Sequence, residues 1–212
     1  MPDPTLYRRL VGSLIYLTTT RLDISYIVHQ VSQFMSSPRH LHFAVVRRII
    51  RYLKISSTHG LFFPKTSSLQ LMAYSDVDWV GCPDTRRSTT DWCISLSDTL
   101  ISWKCKKQYR VSKSSTKVEY RSMSYACAEF VWLCSLLDQL GFSQPTSTRL
   151  HADNTSAIQI VANPVFHERI KHIEVNCHYI REAMTNNVIS LPYISTDLQV
   201  ADIFTKVTKG LL

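Results

Sequence analysis

The stretch LQLMAYSD, residues 69–76, decides how the fold begins. It is an apolar run that ends on an acidic side chain, and it predicts a buried strand. The polar loop GCPDTRRSTT (81–90) follows, and after it come WCISLS (92–97) and LISWKCKK (100–107). The short turn Asp98-Thr99 joins these two runs as a predicted hairpin. The sequence therefore predicts a sheet that starts with antiparallel strands.

A long helical pattern comes next, at residues 114–140. The serines of SKSST open it and Gly141 closes it, as glycine commonly does at a helix end. The whole order is β-β-β-α-β-α-α-β-α, which predicts a mixed α/β domain with helices on both faces of one sheet. The later elements are the strand STRLHAD (147–153), the helices NTSAIQIVAN (154–163) and HIEVNCHYIREAMTNN (172–187), the strand VISLPYIS (188–195) and the closing helix DLQVADIFTK (197–206).

Upstream of the sheet, residues 5–55 carry three helical patterns. Asp23 stands where it would cap the second of them. A Ser/Thr-rich connector of low charge, residues 64–68, then separates these helices from the strands. We therefore expect an N-terminal helical segment over residues 1–63 and an α/β domain over residues 69–207.

The composition is typical of a globular protein with a full core. The chain has 212 residues, of which 45% are hydrophobic, and its mean hydropathy is -0.05. It lacks an apolar run of about 18 residues, so we expect no membrane partner. The start, MPDPTLYRRLVG, lacks an apolar leader core, which predicts an intracellular protein, cytoplasmic or nuclear. The six cysteines form no CxxC pair, which favours reduced thiols over a zinc site.

Positive charge is concentrated in two blocks of the chain, whose formal net charge is +8. Residues 1–68 hold nine Lys or Arg against two Asp, and residues 86–117 hold eight against two. Basic blocks beside acidic segments are typical of a polyanion-binding surface next to a site that can hold cations. Solubility alone is the alternative explanation.

Four carboxylates lie at the ends of elements or beside apolar neighbours. Asp76 and Asp153 end predicted strands, Glu119 lies in the long helix, and Asp202 lies between Ala201 and Ile203. Ligands gather at the ends of strands in α/β sheets, and Mg²⁺ prefers carboxylate oxygens. The spacing leaves other roles open, because a strand-end aspartate is often a turn former or, as Asp153-Asn154 would be, a helix cap.

Five long segments together resemble the copia-type retrotransposon Pol polyprotein. The stretches that resemble its ribonuclease H domain are YSDVDWVGCPDTRRSTTDWCISL (74–96), LISWKCKKQYRVSKSSTKVEYRSM (100–123), HADNTSAIQIVANPVFHERIKHIEVNCHYIRE (151–182) and VADIFTK (200–206). Residues 7–54, from YRRLVGSLIYL to RRIIRYLK, resemble the segment that connects the reverse transcriptase to that domain. These segments follow one another in the family's order.

The resemblance implies a ribonuclease H-like fold, a five-stranded mixed sheet flanked by helices. It also implies cleavage of the RNA strand of RNA–DNA hybrids with two Mg²⁺ or Mn²⁺ ions. Position by position, the family's catalytic and metal-binding acids fall on Asp76, Glu119, Asp153 and Asp202. Asp78, two residues from Asp76, is a competing candidate. The adjacent aspartates of the polymerase motif are missing, so we expect no DNA synthesis.

Departures from the family pattern bear on whether this copy is active. Asp91 replaces a glycine that is common in the family, and the loss of a turn glycine could strain the backbone. All four acids are nevertheless retained. A catalytically inactive, nucleic-acid-binding remnant of a decayed retrotransposon is therefore the alternative to an active enzyme.

Basic residues between the third strand and the long helix are candidates for binding the phosphates of the hybrid. Trp103 and Tyr109 could stack on sugars or bases, although packing explains them equally well. The expected partners are the RNA–DNA hybrid and the upstream reverse transcriptase part. The candidate nucleic-acid-binding residues are Lys104, Lys106, Lys107, Arg110 and Lys113.

Overall fold

The computed structural model describes residues 3–65, 68–82, 84–144, 146–163 and 174–204. The chain divides into two compact units, one formed by the described residues up to Phe62 together with Ile203 and Phe204, the other by the described residues from Phe63 to Asp202. The first division lies beside the expected connector. The predicted end of the α/β domain, residue 207, lies outside the described residues, and the assignment of domains to 1–63 and 69–207 stays a prediction.

The first unit contains three helices, α1 (Pro4–Leu17), α2 (Ser25–Ser32) and α3 (His40–Ile55). They enclose a core in which Tyr7 and Val46 are fully buried. This helical segment agrees with the three helical patterns of the sequence.

Asp23 does not cap α2, so that prediction is wrong. It lies in a short 3-10 turn, Leu22–Ile24, and its carboxylate pairs with Arg21 at 2.6 Å. Arg21 also donates a hydrogen bond of 2.8 Å to the carbonyl of Ser56, the residue at the end of α3. The buried guanidinium thus draws the carboxylate away from the helix end because the ion pair and the hydrogen bonds satisfy both groups.

The second unit is built on a five-stranded mixed sheet with the order β3-β2-β1-β4-β5. Strand β1 pairs antiparallel with β2, and β2 pairs antiparallel with β3. Strand β1 also pairs in parallel with β4, and β4 pairs in parallel with β5. The strands are β1 (Leu71–Asp78), β2 (Thr89–Leu96), β3 (Thr99–Lys107), β4 (Thr148–His151) and β5 (Ile189–Ser190). The predicted fold class is confirmed, and the hairpin turn lies one residue earlier than expected, at Ser97-Asp98.

Three helices of this unit pack on one face of the sheet, and the longest is capped at both ends as the sequence predicts. Ser114 accepts a hydrogen bond from the N–H of Lys117, and Gly141 has a φ of 84°. The sheet face of Ala73 and Ile94 forms one core with all three helices. Within the described residues these helices cover one face rather than both. They are α4 (Ser115–Gln139), α5 (Thr155–Ala162) and α6 (Glu174–Thr185).

The last described part of the chain differs from its predicted helix. Two short 3-10 turns, Thr196–Leu198 and Val200–Phe204, stand in place of the described part of that helix. The side chain of Gln199, which lies between the two turns, ties this segment to the sheet. Its amide donates a 3.0 Å hydrogen bond to the carbonyl of Ser75 on β1. Among the described helices, none has both the length and the apolar content needed to cross a membrane.

Candidate metal centre

Two neighbouring parallel strands bring Asp76 and Asp153 together. In the register of β1 and β4, Tyr74 lies beside His151. Asp76 comes two residues after Tyr74, and Asp153 comes two residues after His151. The two aspartate side chains therefore lie at the same level and at the same end of the sheet. The sequence separates them by more than seventy positions, and only the pairing of the strands makes them neighbours.

Helix α4 supplies the third carboxylate. Glu119 lies in the second turn after the capping residue Ser114, and α4 packs against β1 and β2. One carboxylate oxygen from each of Asp76, Glu119 and Asp153 lies within 4.8 Å of the others. Three oxygen ligands this close form the kind of site that binds a hard divalent cation.

Asp202 lies beside this cluster. Its side chain lies close enough to that of Asp76 to contribute to the raised pKa of the Asp76 carboxyl. The short turn Val200–Phe204 holds Asp202, and the bond from the neighbouring Gln199 to β1 fixes the start of that turn at the strand. The structure thus brings all four acids of the resemblance to one end of the sheet, with Asp202 in contact through Asp76.

Burial makes the negative charges of this cluster costly. Asp76 and Glu119 are only 7% and 6% exposed. Burial raises the pKa of Glu119 to about 9, and the charges of Asp76 and Asp153 add to the rise. Burial also raises the pKa of Asp76 to about 7, opposed by the backbone N–H of Val77 and reinforced by Asp153 and Asp202. A bound cation would offset both the burial and the repulsion.

The unsatisfied oxygen of Glu119 is a direct observation in favour of a cation. Its Oε2 atom is buried and makes no hydrogen bond to any described residue. Buried polar atoms normally have a partner, so an orphaned carboxylate oxygen in an acidic cluster fits a metal ligand. Mg²⁺ and Mn²⁺ both suit such an all-oxygen set.

The structure distinguishes the alternative roles of Asp153, as a helix cap or a metal ligand, and the alternative candidates Asp76 and Asp78. Asn154 accepts the capping hydrogen bond from the N–H of Ala157 at 2.9 Å, while Asp153 instead accepts one from the hydroxyl of Thr196 at 3.0 Å. Asp153 is therefore not the cap of α5. Asp78 packs against Gly81, where even a methyl group would collide with its carboxyl group. The three-carboxylate group includes Asp76 and not Asp78.

Asp91 is a buried acid whose position the sequence alone did not reveal. It lies within β2 directly opposite Asp76 and is 0% exposed. Burial raises its pKa well above the usual range, opposed by the thiol of Cys105 and reinforced by Asp76, Asp78 and other acids. Its φ is not positive, so the expected strain from a lost turn glycine is absent at this residue. Knowledge of the register between β1 and β2 would have revealed this position, because residues directly opposite each other on paired strands lie on the same face of the sheet.

The candidate nucleic-acid-binding residues do not form a single row. Lys104 and Lys106 are exposed on β3, and Arg110 and Lys113 are exposed in the connection to α4. Lys107 differs, because its ammonium group donates a 2.7 Å hydrogen bond to the Cys82 thiol. Burial raises the pKa of Cys82, but this bond and those from the Thr85 region outweigh it and lower the pKa to about 7.

Comparisons with known proteins identify relatives of the chain. No protein-family model matches the chain. The chain is 44% identical over 206 residues to the retrovirus-related Pol polyprotein from transposon RE1 of Arabidopsis thaliana, covering 97% of this chain and 14% of that protein. It is 36% identical over 202 residues to the corresponding polyprotein from transposon TNT 1-94 of Nicotiana tabacum, covering 95% of this chain and 15% of that protein.

The chain belongs to the retrotransposon Pol polyproteins. It carries a ribonuclease H-like domain of such a polyprotein, as the resemblance implied. This Pol chain spans about a seventh of the length of the curated relatives it matches.

Two solved ribonucleases H are similar to this Pol chain at low sequence identity. RNase H1 from Halobacterium salinarum is 13% identical with a TM-score of 0.44, covering 62% of this chain and 90% of that chain. LC11-RNase H1, solved in complex with an RNA/DNA hybrid, is 10% identical with a TM-score of 0.47, covering 63% and 91% respectively.

Proposed function

We propose that this Pol chain hydrolyses the RNA strand of RNA–DNA hybrids with two Mg²⁺ or Mn²⁺ ions. The observation that carries the proposal is the group of Asp76, Glu119 and Asp153, whose oxygens lie within 4.8 Å of one another. Asp76 and Glu119 are buried, Asp153 is partly buried, and the Oε2 atom of Glu119 has no hydrogen-bond partner among the described residues. Membership in the Pol polyproteins agrees with this activity.

In this mechanism Asp76, Glu119 and Asp153 would hold the ions, with Asp202 placed to complete the set beside Asp76. Bound ions of this kind activate a water molecule and stabilise the leaving oxygen of a phosphodiester. The chain's own part is to hold four carboxylates at one end of a rigid sheet. Thr196 orients Asp153 by donating to its Oδ2 atom, which leaves the other oxygen for a ligand.

We propose that Lys104, Lys106, Arg110 and Lys113 bind phosphates of the hybrid, and that Lys107 does so less directly because Cys82 holds its ammonium group. Such contacts give affinity without sequence preference. The upstream reverse transcriptase part of a polyprotein is a further proposed partner. The intracellular location stays a prediction.

A second candidate function is nucleic-acid binding without catalysis. The buried carboxyl of Asp91, opposite Asp76 and at a position where the family commonly has glycine, favours it. If Asp91 were ionised, its negative charge would repel the carboxylates of the cluster. Its raised pKa, caused mainly by burial, favours the neutral form, so we rank the active enzyme first.

Cleavage of a labelled RNA–DNA hybrid with Mg²⁺ tests the proposal. We expect the unmodified chain to cut the RNA strand and Asp153→Asn to lose the metal-dependent cleavage. Asp98→Asn, an exposed aspartate in the hairpin turn, is the matched control and should cut normally. Equal, metal-independent rates for all three chains would exclude the enzyme, and salt-sensitive hybrid binding without cleavage would support the second candidate.

A further inference from the structure

A concave pocket lies between the end of β3 and helix α4, apart from the acidic cluster. It encloses about 350 Å³. Half of the described residues that line it are basic, and none of them is acidic. The basic residues are Lys106, Lys107, Arg110 and Arg121. A pocket of this charge favours an anionic ligand.

Hydrogen bonds connect three of the side chains that line this pocket. Gln108 donates from its side-chain amide to the Thr90 hydroxyl at 2.8 Å, and its carbonyl oxygen accepts from Arg121 at 3.5 Å. The Gln108 amide is thus oriented by the sheet and in turn orients the guanidinium on α4. An arginine positioned in this way keeps further N–H donors for the oxygens of a phosphate.

Two tyrosines stand at the same pocket with their rings in solvent. Tyr109 is 83% exposed and Tyr125 is 54% exposed. The guanidinium of Arg87 lies 5.7 Å from the centre of the Tyr109 ring and supports it. Exposed aromatic rings next to cationic side chains are the arrangement that proteins use to stack unpaired bases while they bind the backbone phosphates.

The pocket lies at the end of the sheet that carries the acids. Thr90 precedes Asp91, which lies opposite Asp76, and Thr90 pairs with Lys106 on β3. Strands are spaced by about 4.8 Å, so β3 runs roughly 10 Å from β1. A strand of nucleic acid rises about 3.4 Å per nucleotide, so this separation corresponds to about three nucleotides.

We propose that this pocket binds an unpaired nucleotide of a single-stranded nucleic acid, with the base on Tyr125 and the phosphate on Arg121 and its basic neighbours. Bases within a hybrid are stacked on each other and present no face to a tyrosine, so a paired duplex leaves these rings unused. The site goes beyond the proposed cleavage because it needs neither a divalent cation nor a hydrolysable strand.

Fluorescence anisotropy with a short labelled oligothymidine in EDTA tests this proposal. The variants are Tyr125→Leu and Arg121→Gln, and Trp132→Leu is the matched control because Trp132 is 57% exposed on the same helix and does not line the pocket. We expect Tyr125→Leu to weaken binding about 5- to 150-fold, which corresponds to the loss of one stacked base. Arg121→Gln should weaken binding and reduce the salt slope by about 0.7.

Equal affinity of Tyr125→Leu and Trp132→Leu would overturn the proposal, as would a salt slope that Arg121→Gln leaves unchanged. Unaltered thermal unfolding of each variant excludes misfolding as the cause of a loss. Because the probe is DNA and EDTA removes the metal, the outcome is independent of hybrid cleavage. A chain that cuts no hybrid can still show this binding, and a chain that cuts hybrid can lack it.

Discussion

Replacement of Glu119 by glutamine should stabilise the metal-free protein. The pKa of Glu119 rises from its ordinary 4.5 to about 9, mainly through burial. Between these two values the folded chain holds a proton that the unfolded chain has lost, so the free energy of unfolding falls as the pH rises through this window. At pH 7 the accumulated loss is about 3 kcal/mol. Glu119→Gln removes the titrating group and with it this loss.

Thermal unfolding in EDTA from pH 5 to pH 9 measures this effect. We expect Glu119→Gln to unfold at a higher temperature than the unmodified chain at pH 7, by roughly 6–12 °C for a domain of this size. The difference should grow as the pH rises. Mn²⁺ at about a thousand times its Kd should reverse the order at pH 7, because it stabilises the unmodified chain by about 4.1 kcal/mol, which exceeds the loss of about 3 kcal/mol, and the variant lacks one of the carboxylates.

Glu129→Gln is the matched control for this experiment. Glu129 lies on the same helix and accepts a 2.8 Å hydrogen bond from Ser102, which a glutamine carbonyl can also accept. We expect its stability to stay within about 0.5 kcal/mol of the unmodified chain at every pH. The reasoning would be refuted if Glu119→Gln in EDTA were no more stable than the unmodified chain at pH 8, or if the difference between them did not depend on pH.

Two further predictions concern single side chains near the site. Asp91→Asn should leave Mn²⁺ affinity at pH 7 nearly unchanged in calorimetric titration, because burial raises the pKa of Asp91 and favours its neutral form. A marked loss of affinity would contradict this, because it would show that Asp91 is ionised and attracts the metal. Lys107→Gln should move the pKa of the Cys82 thiol from about 7 towards its ordinary 9.0, since the 2.7 Å hydrogen bond is lost. Mass spectrometry of iodoacetamide labelling at Cys82 against pH measures this shift, and an unmoved midpoint would contradict the role of the lysine.

Much of the fold was predictable because its signals are local. The apolar run that became β1 and the helical period of α4 are properties of neighbouring residues. Ser114 and Gly141 end α4 through hydrogen bonds and backbone conformations that span only a few positions. The closing helix was one exception, because two short 3-10 turns replace its described part and the hydrogen bond from Gln199 to β1 is a contact between distant parts of the chain.

The candidate site was also predictable only in part. The resemblance to a known family identified the four acids, whereas their spacing alone left a helix cap and a turn former as alternatives. The structure separates these roles, because Asn154 is the cap and Asp153 accepts from Thr196. The diversion of Lys107 towards Cys82 has no sequence signal, since a loop far along the chain from β3 supplies the thiol.

The sequence by itself thus determined the order of the strands and helices and, through the family resemblance, which carboxylates to examine. Only the tertiary structure decided that Asp76 and Asp153 are neighbours, because the parallel pairing of β1 with β4 joins segments separated by an entire hairpin and the longest helix. It alone also placed Asp91 opposite Asp76. Burial then raised the pKa of Asp76 and Glu119, and burial is a property of the packed molecule rather than of any short stretch of sequence.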